Sequence, residues 1–483
     1  MPTEHFDVLI IGAGLSGVGA ARHLQMHCPD RSYAILEGRS SIGGTWDLFR
    51  YPGIRSDSDM YTLGYSFKPW EEQKAIADGP SILKYVRDTA HENDIGRHVR
   101  FGHTATRASW STAAARWTLE VERGNTKERV GITCNFLFMC SGYYRYDKGF
   151  TPDFAGVETF AGRVVHPQQW TDDVTYAGKR VVVIGSGATA VTLVPELAKK
   201  AAHVTMLQRS PTYIVARPSE DALANKLRRW LPAKLAYSLT RWKRVLLGIY
   251  IFQRCRREPE KIKRMIVGGA RMALGSAYDV AKHFTPRYNP WDQRLCLAPD
   301  GDFFASIRSG RASVATDEIE RFTETGIQLK SGTHLEADII VTATGLNLQV
   351  LGGLQLIVDG VPVDLAKTMN YKGLMFSGVP NLASSSGYTN ASWTLKCDLT
   401  CEYVCRLLNH MKKRGIKQCT PHNTDPSITE QPWVSFSSSY FARAMHLFPK
   451  QGSKAPWKLY QNYPKDIMLL RYGRLDDGAL KFA

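Results

Sequence analysis

Residues 6–17 read FDVLIIGAGLSG, an apolar strand followed by a glycine-rich turn and the start of a helix of small residues. Gly12 permits the tight turn off the strand, Gly14 lets the backbone approach a pyrophosphate, and Gly17 lets the helix pack close to the strand. The free N–H groups and the dipole at the start of that helix favour a negatively charged group. This stretch therefore predicts a dinucleotide-binding fold.

An acidic residue ends the next predicted strand. Residues 32–37 read SYAILE and finish with Glu37. A carboxylate at this position accepts hydrogen bonds from ribose hydroxyls and repels a 2′-phosphate. The first site is therefore expected to hold an unphosphorylated adenosine ribose, as in FAD or NAD.

A second glycine loop follows much later in the chain. Residues 180–190 read RVVVIGSGATA, and Gly185, Gly187 and Ala190 take the same three positions as the glycines of the first loop. Pro195 falls inside the helix that should follow, so we expect that helix to kink or end early.

The strand after the second loop ends in a base rather than an acid. Arg209 and Ser210 stand where the first unit has its carboxylate. A guanidinium suits a 2′-phosphate, so this second site is predicted to prefer NADPH. The alternative interpretation is that Arg209 is an ordinary surface arginine.

Two further strands, FLFMCSG at residues 136–142 and IIVTATG at residues 339–345, suggest where the chain passes between the two units. The predicted fold class is α/β, with two Rossmann-like dinucleotide-binding domains. The NADP domain is inserted in the FAD domain and carries a helical insertion of its own. The expected bounds are 1–145 and 340–483 for the FAD-binding domain, 150–340 for the NADP-binding domain, and 217–283 for the basic helical insertion.

The composition fits a globular protein, with 43 % hydrophobic and 22 % charged residues among 483. No signal peptide precedes the first strand, and a cytoplasmic location with reduced thiols is expected. Cys397, Cys401 and Cys405 would share one face of a helix, which favours an apolar core face over a metal site. The longest apolar stretch of note, residues 245–252, is expected to be a buried helical segment.

The net charge of +17 is concentrated in residues 226–271, which hold fourteen lysines and arginines against two glutamates. One interpretation is a solvated helical surface. The other is peripheral association with an anionic membrane surface, helped by interleaved aromatic and aliphatic residues. Nucleic acid is not expected as a partner, because no binding motif accompanies the charge.

The loop after Glu37 separates two kinds of flavin chemistry. It contains Gly44, Thr45 and Trp46, then an aromatic-Pro-Gly turn, and then Asp57. A disulfide reductase with two dinucleotide folds would carry a cysteine pair near here, whereas this loop has no cysteine. Its glycine, aromatic and arginine residues suit the wrapping of a flavin ring, with Asp57 as a charge partner inside the site.

Here the chain resembles the type I Baeyer–Villiger monooxygenases, the class B flavin monooxygenases. Residues 43–57 fit the family's flavin-loop pattern, and a second fingerprint is formed by Phe160, Gly162, His166 and Trp170. Thr171 departs from the Pro or Asp that usually ends this fingerprint. The resemblance covers essentially the whole chain, and within the family it is closest to mycobacterial enzymes that oxidise thioamides.

The resemblance implies an enzyme that uses FAD, NADPH and O₂ to convert ketones to esters or lactones through a C4a-peroxyflavin. It assigns Arg294 as the catalytic cation and Asp57 as the carboxylate that orients it. Gln293 stands where the family usually has a lysine that touches NADPH. His166 would link the domains rather than act as a base, and Tyr388 and Trp393 would shape an apolar pocket.

Small apolar ketones, sulfides and thioamides are therefore the expected substrates. One alternative is a flavin monooxygenase that acts mainly on sulfur or nitrogen. A remote alternative, from another class, is a non-catalytic nucleotide-binding protein at a membrane surface. Neither the natural substrate nor the oligomeric state follows from the sequence.

Overall fold

The structure, a computed structural model, describes residues 4–124, 126–434 and 437–483. Its largest sheet is built around the strand of the first glycine loop, which has parallel neighbours on both sides. The sheet contains, in spatial order, Val361–Pro362, Gln355–Val358, His103–Ser111, Arg116–Arg123, Glu128–Met139, Glu4–Ile11, Tyr33–Glu37 and Val99–Phe101, with Leu382–Ser384 also paired to Glu128–Met139.

Alternation along the strand Glu4–Ile11 explains how this sheet is covered. Val8 and Ile10 belong to a core on one face of the sheet, and Leu9 belongs to a separate core on the other face. The helices of this part of the chain are Leu15–His27, Thr45–Leu48, Met60–Leu63, Gly79–Glu92, Trp393–Arg414, Ser439–Ala444 and Tyr463–Ile467. The predicted cysteine face is buried in the longest of them.

A second sheet of five parallel strands surrounds the second glycine loop. Its strands, in spatial order, are Ala312–Thr316, His203–Gln208, Arg180–Ile184, Ile339–Thr342 and Arg163–Val165. The helix after the loop, Ala188–Leu197, ends two residues beyond Pro195, as expected. The same region contains the helix Asp302–Arg308 and an antiparallel sheet of Ile319–Thr323, Gly326–Leu329 and His334–Glu336.

The remaining strands form two-stranded pairs. They are Ile214–Arg217 with Cys296–Pro299, Asn370–Tyr371 with Met375–Phe376, Cys419–Pro421 with Leu480–Phe482, and Glu430–Gln431 with Gln451–Gly452.

The chain leaves the first sheet after Met139 and rejoins it at Gln355. The predicted boundary at residue 340 divides the strand Ile339–Thr342, which pairs only within the second sheet. A parallel strand at the end of one domain and a crossover segment leading to the next share the same apolar composition, so the sequence pattern did not separate them.

The basic insertion folds as the helices Ala222–Trp230, Ala233–Arg257, Pro259–Leu274 and Val280–Phe284. The prediction of a buried segment at residues 245–252 is wrong. The segment is helical and Val245 is buried, but Leu246 and Tyr250 are 57 % and 58 % exposed. One face of the helix packs against the protein while the other is largely exposed in the described structure. Within the described ranges, no helix is both long enough and apolar enough to cross a membrane.

Candidate active site

The first glycine loop leaves no room for side chains. Gly12 has a φ of +104°, and its N–H donates to the Leu36 carbonyl at 2.8 Å. A Cβ on Gly17 would lie 1.8 Å from the Gly12 carbonyl oxygen, and one on Gly14 would lie 3.5 Å from the Cα of Gly44. Gly14 of the first glycine loop therefore lies directly against Gly44 of the loop after Glu37. With no side chain between them, an open cradle remains above the N-terminus of the helix that begins at Leu15.

Glu37 is buried at the edge of this cradle. One carboxylate oxygen accepts the Ala13 N–H at 2.8 Å, and the other accepts the Arg39 N–H at 2.9 Å. These bonds fix the carboxylate, and each oxygen keeps a lone pair for a further donor. The residues present fit an adenosine ribose and the pyrophosphate of FAD.

The loop that should wrap the flavin is held by one buried carboxylate. Asp47 lies in the short helix that begins at Thr45, and it pairs with Arg39 at 2.6 Å and Arg87 at 2.7 Å. The Thr45 hydroxyl lies 3.3 Å from that of Tyr146, and Trp46 packs half-buried on the core. Gly44, Thr45 and Trp46 are thereby fixed beside the first glycine loop.

The second glycine loop has a backbone geometry like that of the first, with more open space around its middle glycine. Gly185 has a φ of +130°, and a Cβ there would lie 2.3 Å from the Ala343 carbonyl oxygen. A Cβ on Gly187 would meet nothing within 4 Å, while Ala190 is fully buried. Arg209 and Ser210 follow the neighbouring strand and are exposed. The Arg209 guanidinium is therefore accessible at the end of this strand, with Glu318 within electrostatic range.

Arg294 and Asp57, 237 residues apart, form an ion pair with a nitrogen–oxygen distance of 2.7 Å. Both side chains are about one-third exposed, at 35 % and 34 %. The Asp57 carboxylate holds the pKa of the Arg294 guanidinium well above its usual range, so the cation is permanent. Three tyrosines, Tyr143, Tyr144 and Tyr440, surround it.

A second ion pair supports the first and was not predicted from the sequence. Arg55, two residues before Asp57, donates to Asp302 at 2.5 Å. Asp302 begins the helix whose Phe303 and Phe304 are buried in the second core. In the sequence, the only indication of this pair was that Arg55 lies near Asp57 and Asp302 lies near Arg294.

The loop before Arg294 carries a strained tryptophan. Trp291 has a φ of +73°, and within the described chain its buried indole N–H has no hydrogen-bond partner. Gln293 is half-buried, and its backbone forms a bridge with Pro290. An unpaired buried donor at the edge of a cavity indicates a place for a ligand acceptor.

A cavity of about 650 Å³ lies beside these residues, between the first sheet's helices and the insertion. The helix Ala233–Arg257 contributes Val245, Leu247, Ile249, Ile251 and Phe252 to its apolar side, and its polar side includes the carboxylate of the ion pair. The lining includes Asp57, Arg217, Leu247, Ile251, Phe252, Trp291 and Ser392.

Tyr388 and Trp393, which we expect to shape an apolar pocket, are not among the described residues that line this cavity. The Tyr388 hydroxyl donates to buried Asp466 at 2.6 Å, and the Trp393 indole donates to Ser16 at 2.9 Å. Both aromatic side chains carry a polar hydrogen, and each donates it to a buried acceptor inside the protein. Asn390 and Ser392, between them, face the cavity instead.

The fingerprint lies where the chain crosses between the two sheets. Phe160 and Trp170 are buried, and a Cβ on Gly162 would lie 2.4 Å from the Asp338 carbonyl oxygen. The His166 Nε2 lies 3.1 Å from the Gly345 carbonyl, and its Nδ1 accepts the Gln168 N–H at 3.1 Å.

His166 thus joins one crossover segment to the other. These partners require a neutral ring with its proton on Nε2, and burial lowers the pKa of His166 below 6.5. His166 lines a separate cleft of about 590 Å³ with Phe150 and Arg443, and neither Arg294 nor Asp57 is among the described residues that line it.

One large mixed sheet and one parallel sheet each carry a glycine loop. Together with a buried acid after the next strand of the first sheet and a cysteine-free loop, they define a flavoprotein with two dinucleotide sites and an arginine near the flavin loop. The model of the flavin-binding monooxygenase-like family matches residues 7–242. The FAD-containing monooxygenase EthA of Mycobacterium tuberculosis (strain ATCC 25618 / H37Rv) is 56 % identical over 100 % of this chain and 98 % of its own length. The chain belongs to this family of FAD-containing monooxygenases.

Solved structures share the fold over the full chain. An oxidized steroid monooxygenase bound to NADP superposes with a TM-score of 0.80 at 21 % identity, covering 99 % of both chains. Cyclohexanone monooxygenase bound to ε-caprolactone gives 0.77 at 19 % identity, covering 100 % of both. The predicted family, the fold of two Rossmann-like domains and FAD as a cofactor are confirmed.

Proposed function

We propose that this monooxygenase converts small apolar ketones to esters or lactones with NADPH and O₂, and that the same site oxidises sulfides and thioamides. In the ketone reaction one oxygen atom enters a carbon–carbon bond beside the carbonyl. The other oxygen atom leaves as water, and NADPH and a proton supply the two electrons and two hydrogens. The ion pair of Arg294 with Asp57 carries the proposal.

FAD, when bound, supplies the step that the side chains cannot: it takes hydride from NADPH and activates O₂ for transfer of one oxygen atom. Glu37 would hold its ribose, the backbone N–H groups after Gly12 its pyrophosphate, and the segment around Gly44 and Trp46 its ring. Arg209 and Ser210 would hold the 2′-phosphate of NADPH, with Gln293 as a further contact.

Arg294 would stabilise negative charge on the reacting oxygen atoms. Oxygen transfer to a ketone puts negative charge on the carbonyl oxygen, and a fixed cation lowers the energy of that state. Arginine keeps its proton throughout, so it never becomes a competing acid. Asp57 holds the guanidinium by one nitrogen, which leaves its remaining N–H groups for the oxygen atoms.

The cavity beside the pair would select the substrate. Leu247, Ile251 and Phe252 offer apolar contacts and exclude water, while the unpaired Trp291 indole offers one donor. An apolar ketone with a single acceptor oxygen matches such a lining.

Sulfur oxidation is the second candidate, favoured by the full-length likeness to EthA and by the resemblance to thioamide oxidisers. A sulfur atom donates electrons to the oxidant, so no oxyanion forms on the substrate. Arg294 should matter less for this reaction than for ketones.

The test is Arg294→Ala in the FAD-loaded enzyme. Reduction of the flavin by NADPH, followed by absorbance in the absence of oxygen, should change less than about tenfold, whereas ester formation should fall by at least about a hundredfold. Sulfide oxidation should survive in part.

Arg163→Ala is the matched control, because it removes an exposed arginine that lies 2.8 Å from Asp173. This control should leave the rates of flavin reduction, ester formation and sulfide oxidation unchanged. Ester formation that persists in Arg294→Ala would remove Arg294 from its proposed role.

A further inference from the structure

The helix Ala233–Arg257 carries a row of apolar side chains that are largely exposed in the described structure, although the Trp242 ring lies 5.8 Å from that of Tyr463. They recur at intervals of four, three, four and four residues, which places them on one helix face. Each is between 41 % and 58 % exposed, and the row extends for about 22 Å at 1.5 Å per residue. We call this row the apolar stripe; it consists of Leu235, Leu239, Trp242, Leu246 and Tyr250.

The fold does not require the stripe. The helix is already anchored by its opposite face through buried Tyr237, Arg241 and Val245. Single exposed apolar side chains are common, but a continuous row is a mark of an interaction surface.

The two neighbouring helices add to the exposed apolar surface. Leu223 and Trp230, seven residues apart on Ala222–Trp230, are 49 % and 78 % exposed. Met265 and Met272, seven apart on Pro259–Leu274, are 65 % and 84 % exposed. All three helices therefore leave large apolar side chains in water.

Unpaired cations accompany these side chains. Six of the fourteen lysines and arginines of residues 226–271 form ion pairs. Within the ranges that the structure describes, six exposed ones have no carboxylate partner: Lys226, Arg229, Lys234, Arg257, Arg264 and Arg271. The most exposed tryptophan, Trp230, directly follows one of them.

We propose that the apolar stripe and its surrounding cations dock the enzyme on an anionic lipid surface. Apolar side chains enter the interface between headgroups and acyl chains, while lysine and arginine meet the phosphates. A second copy of the chain would bring the same cations against themselves in a self-complementary interface. Nucleic acid would satisfy the cations but leave the stripe in water.

The docking surface borders the cavity of the active site. Leu223 and Leu247 are exposed and also line that cavity. An apolar substrate dissolved in the bilayer could therefore enter without crossing bulk water. Delivery of substrate from the bilayer rests on the proposed function, whereas docking on the membrane does not.

The docking test is sedimentation of the FAD-loaded protein with vesicles. Vesicles of phosphatidylglycerol mixed with phosphatidylcholine should bind it at low salt, with binding at least about tenfold weaker to phosphatidylcholine alone and also weakened by high salt. Absence of binding to the anionic vesicles at low salt would overturn the proposal.

Leu239→Glu combined with Leu246→Glu should abolish vesicle binding while FAD content stays unchanged. Phe101→Glu combined with Val361→Glu is the matched control, because these residues are 41 % and 66 % exposed elsewhere and should not matter. Equal binding by the stripe variant would contradict the proposal. So would a wild-type dimer, seen by light scattering, that the stripe variant loses.

Activity measurements distinguish docking on the membrane from delivery of substrate out of the bilayer. The stripe variant should oxidise a water-soluble ketone at the wild-type rate but a ketone dissolved in anionic vesicles more slowly. Equal rates on both would refute delivery from the bilayer. An enzyme that binds vesicles but oxidises neither ketone would contradict the proposed function and leave docking intact.

Discussion

Gly17 is the residue on which the first nucleotide site depends most closely. A Cβ on Gly17 would lie 1.8 Å from the Gly12 carbonyl oxygen. Because this contact is with the backbone, the movement of a flexible side chain cannot relieve it. We predict that Gly17→Ala lowers the FAD bound per chain severalfold and destabilises the protein by about 1–3 kcal/mol. Flavin absorbance and thermal unfolding measure both effects.

Gly187→Ala is the control, since a Cβ at the equivalent of Gly14 in the second loop meets nothing within 4 Å. It should keep full FAD content. Equal flavin in the Gly17 and Gly187 variants would show that the first loop is less tight than its geometry indicates.

His166 should make stability depend on pH. Burial lowers its pKa below the usual 6.5, so in the folded state the ring stays neutral after the unfolded chain has begun to bind a proton. Stability is therefore unaffected above about pH 6.5 and falls as the pH drops below it. Protonation would also turn Nδ1 into a donor facing the Gln168 N–H.

We predict that His166→Gln loses less stability than the wild type between pH 7 and pH 5, measured by denaturant unfolding. His422→Gln is the control, because this exposed ring is in water in both states. An equally steep loss in the His166 variant would mean that other groups cause the acid sensitivity.

The sequence proposed Glu37, Arg294 and Asp57 from the chemistry of single positions, and their roles stay predictions. Arg294 and Asp57 lie 2.7 Å apart in the structure. Trp291 was missed, because the positive φ of a residue other than glycine has no sequence signature. The hydrogen bonds of Tyr388 and Trp393 could not be predicted, because their internal acceptors are distant in sequence.

One buried arginine is among the contacts that hold the helix Ala233–Arg257 to the first sheet's helices. Arg241 donates to the carbonyls of Tyr61 at 2.9 Å and Gly64 at 2.7 Å, and to Asp398 at 3.3 Å. Removing one partner of a buried ion pair leaves the other charge uncompensated. We predict that Arg241→Met lowers the free energy of unfolding by about 3–5 kcal/mol.

Denaturant unfolding of Arg241→Met measures this loss, with Arg229→Met as the control for an exposed arginine that has no carboxylate partner in the described structure. The control should change stability by less than about 0.5 kcal/mol. A small effect of Arg241→Met would show that the insertion is anchored by its apolar contacts alone.

Elements defined by local pattern were predictable, and their partners were not. Both glycine loops and the early end of the helix with Pro195 follow from a few adjacent residues. The exposure of residues 245–252 did not follow, because an apolar helix segment does not reveal whether another element covers it. The boundary at residue 340 failed for a related reason: strand pairing is set by neighbours far along the chain.

Side chains connect the two largest sheets both near the cavity and at the crossover. Near the cavity, Arg294 with Asp57 and Arg55 with Asp302 connect them by charge. At the crossover, His166 connects the segment after the first sheet to the segment that returns to it. The first of these connections places the Asp57 carboxylate in the lining of the cavity.

The measurement that tests oxygen transfer most directly is product analysis with ¹⁸O₂. The FAD-loaded enzyme, NADPH and labelled oxygen would be supplied with an apolar ketone, a sulfide and a thioamide in parallel. We predict an ester or lactone that contains one ¹⁸O atom, labelled sulfur oxides, and one NADPH consumed per product. Consumption of NADPH and oxygen with only hydrogen peroxide formed and no labelled organic product would contradict the account.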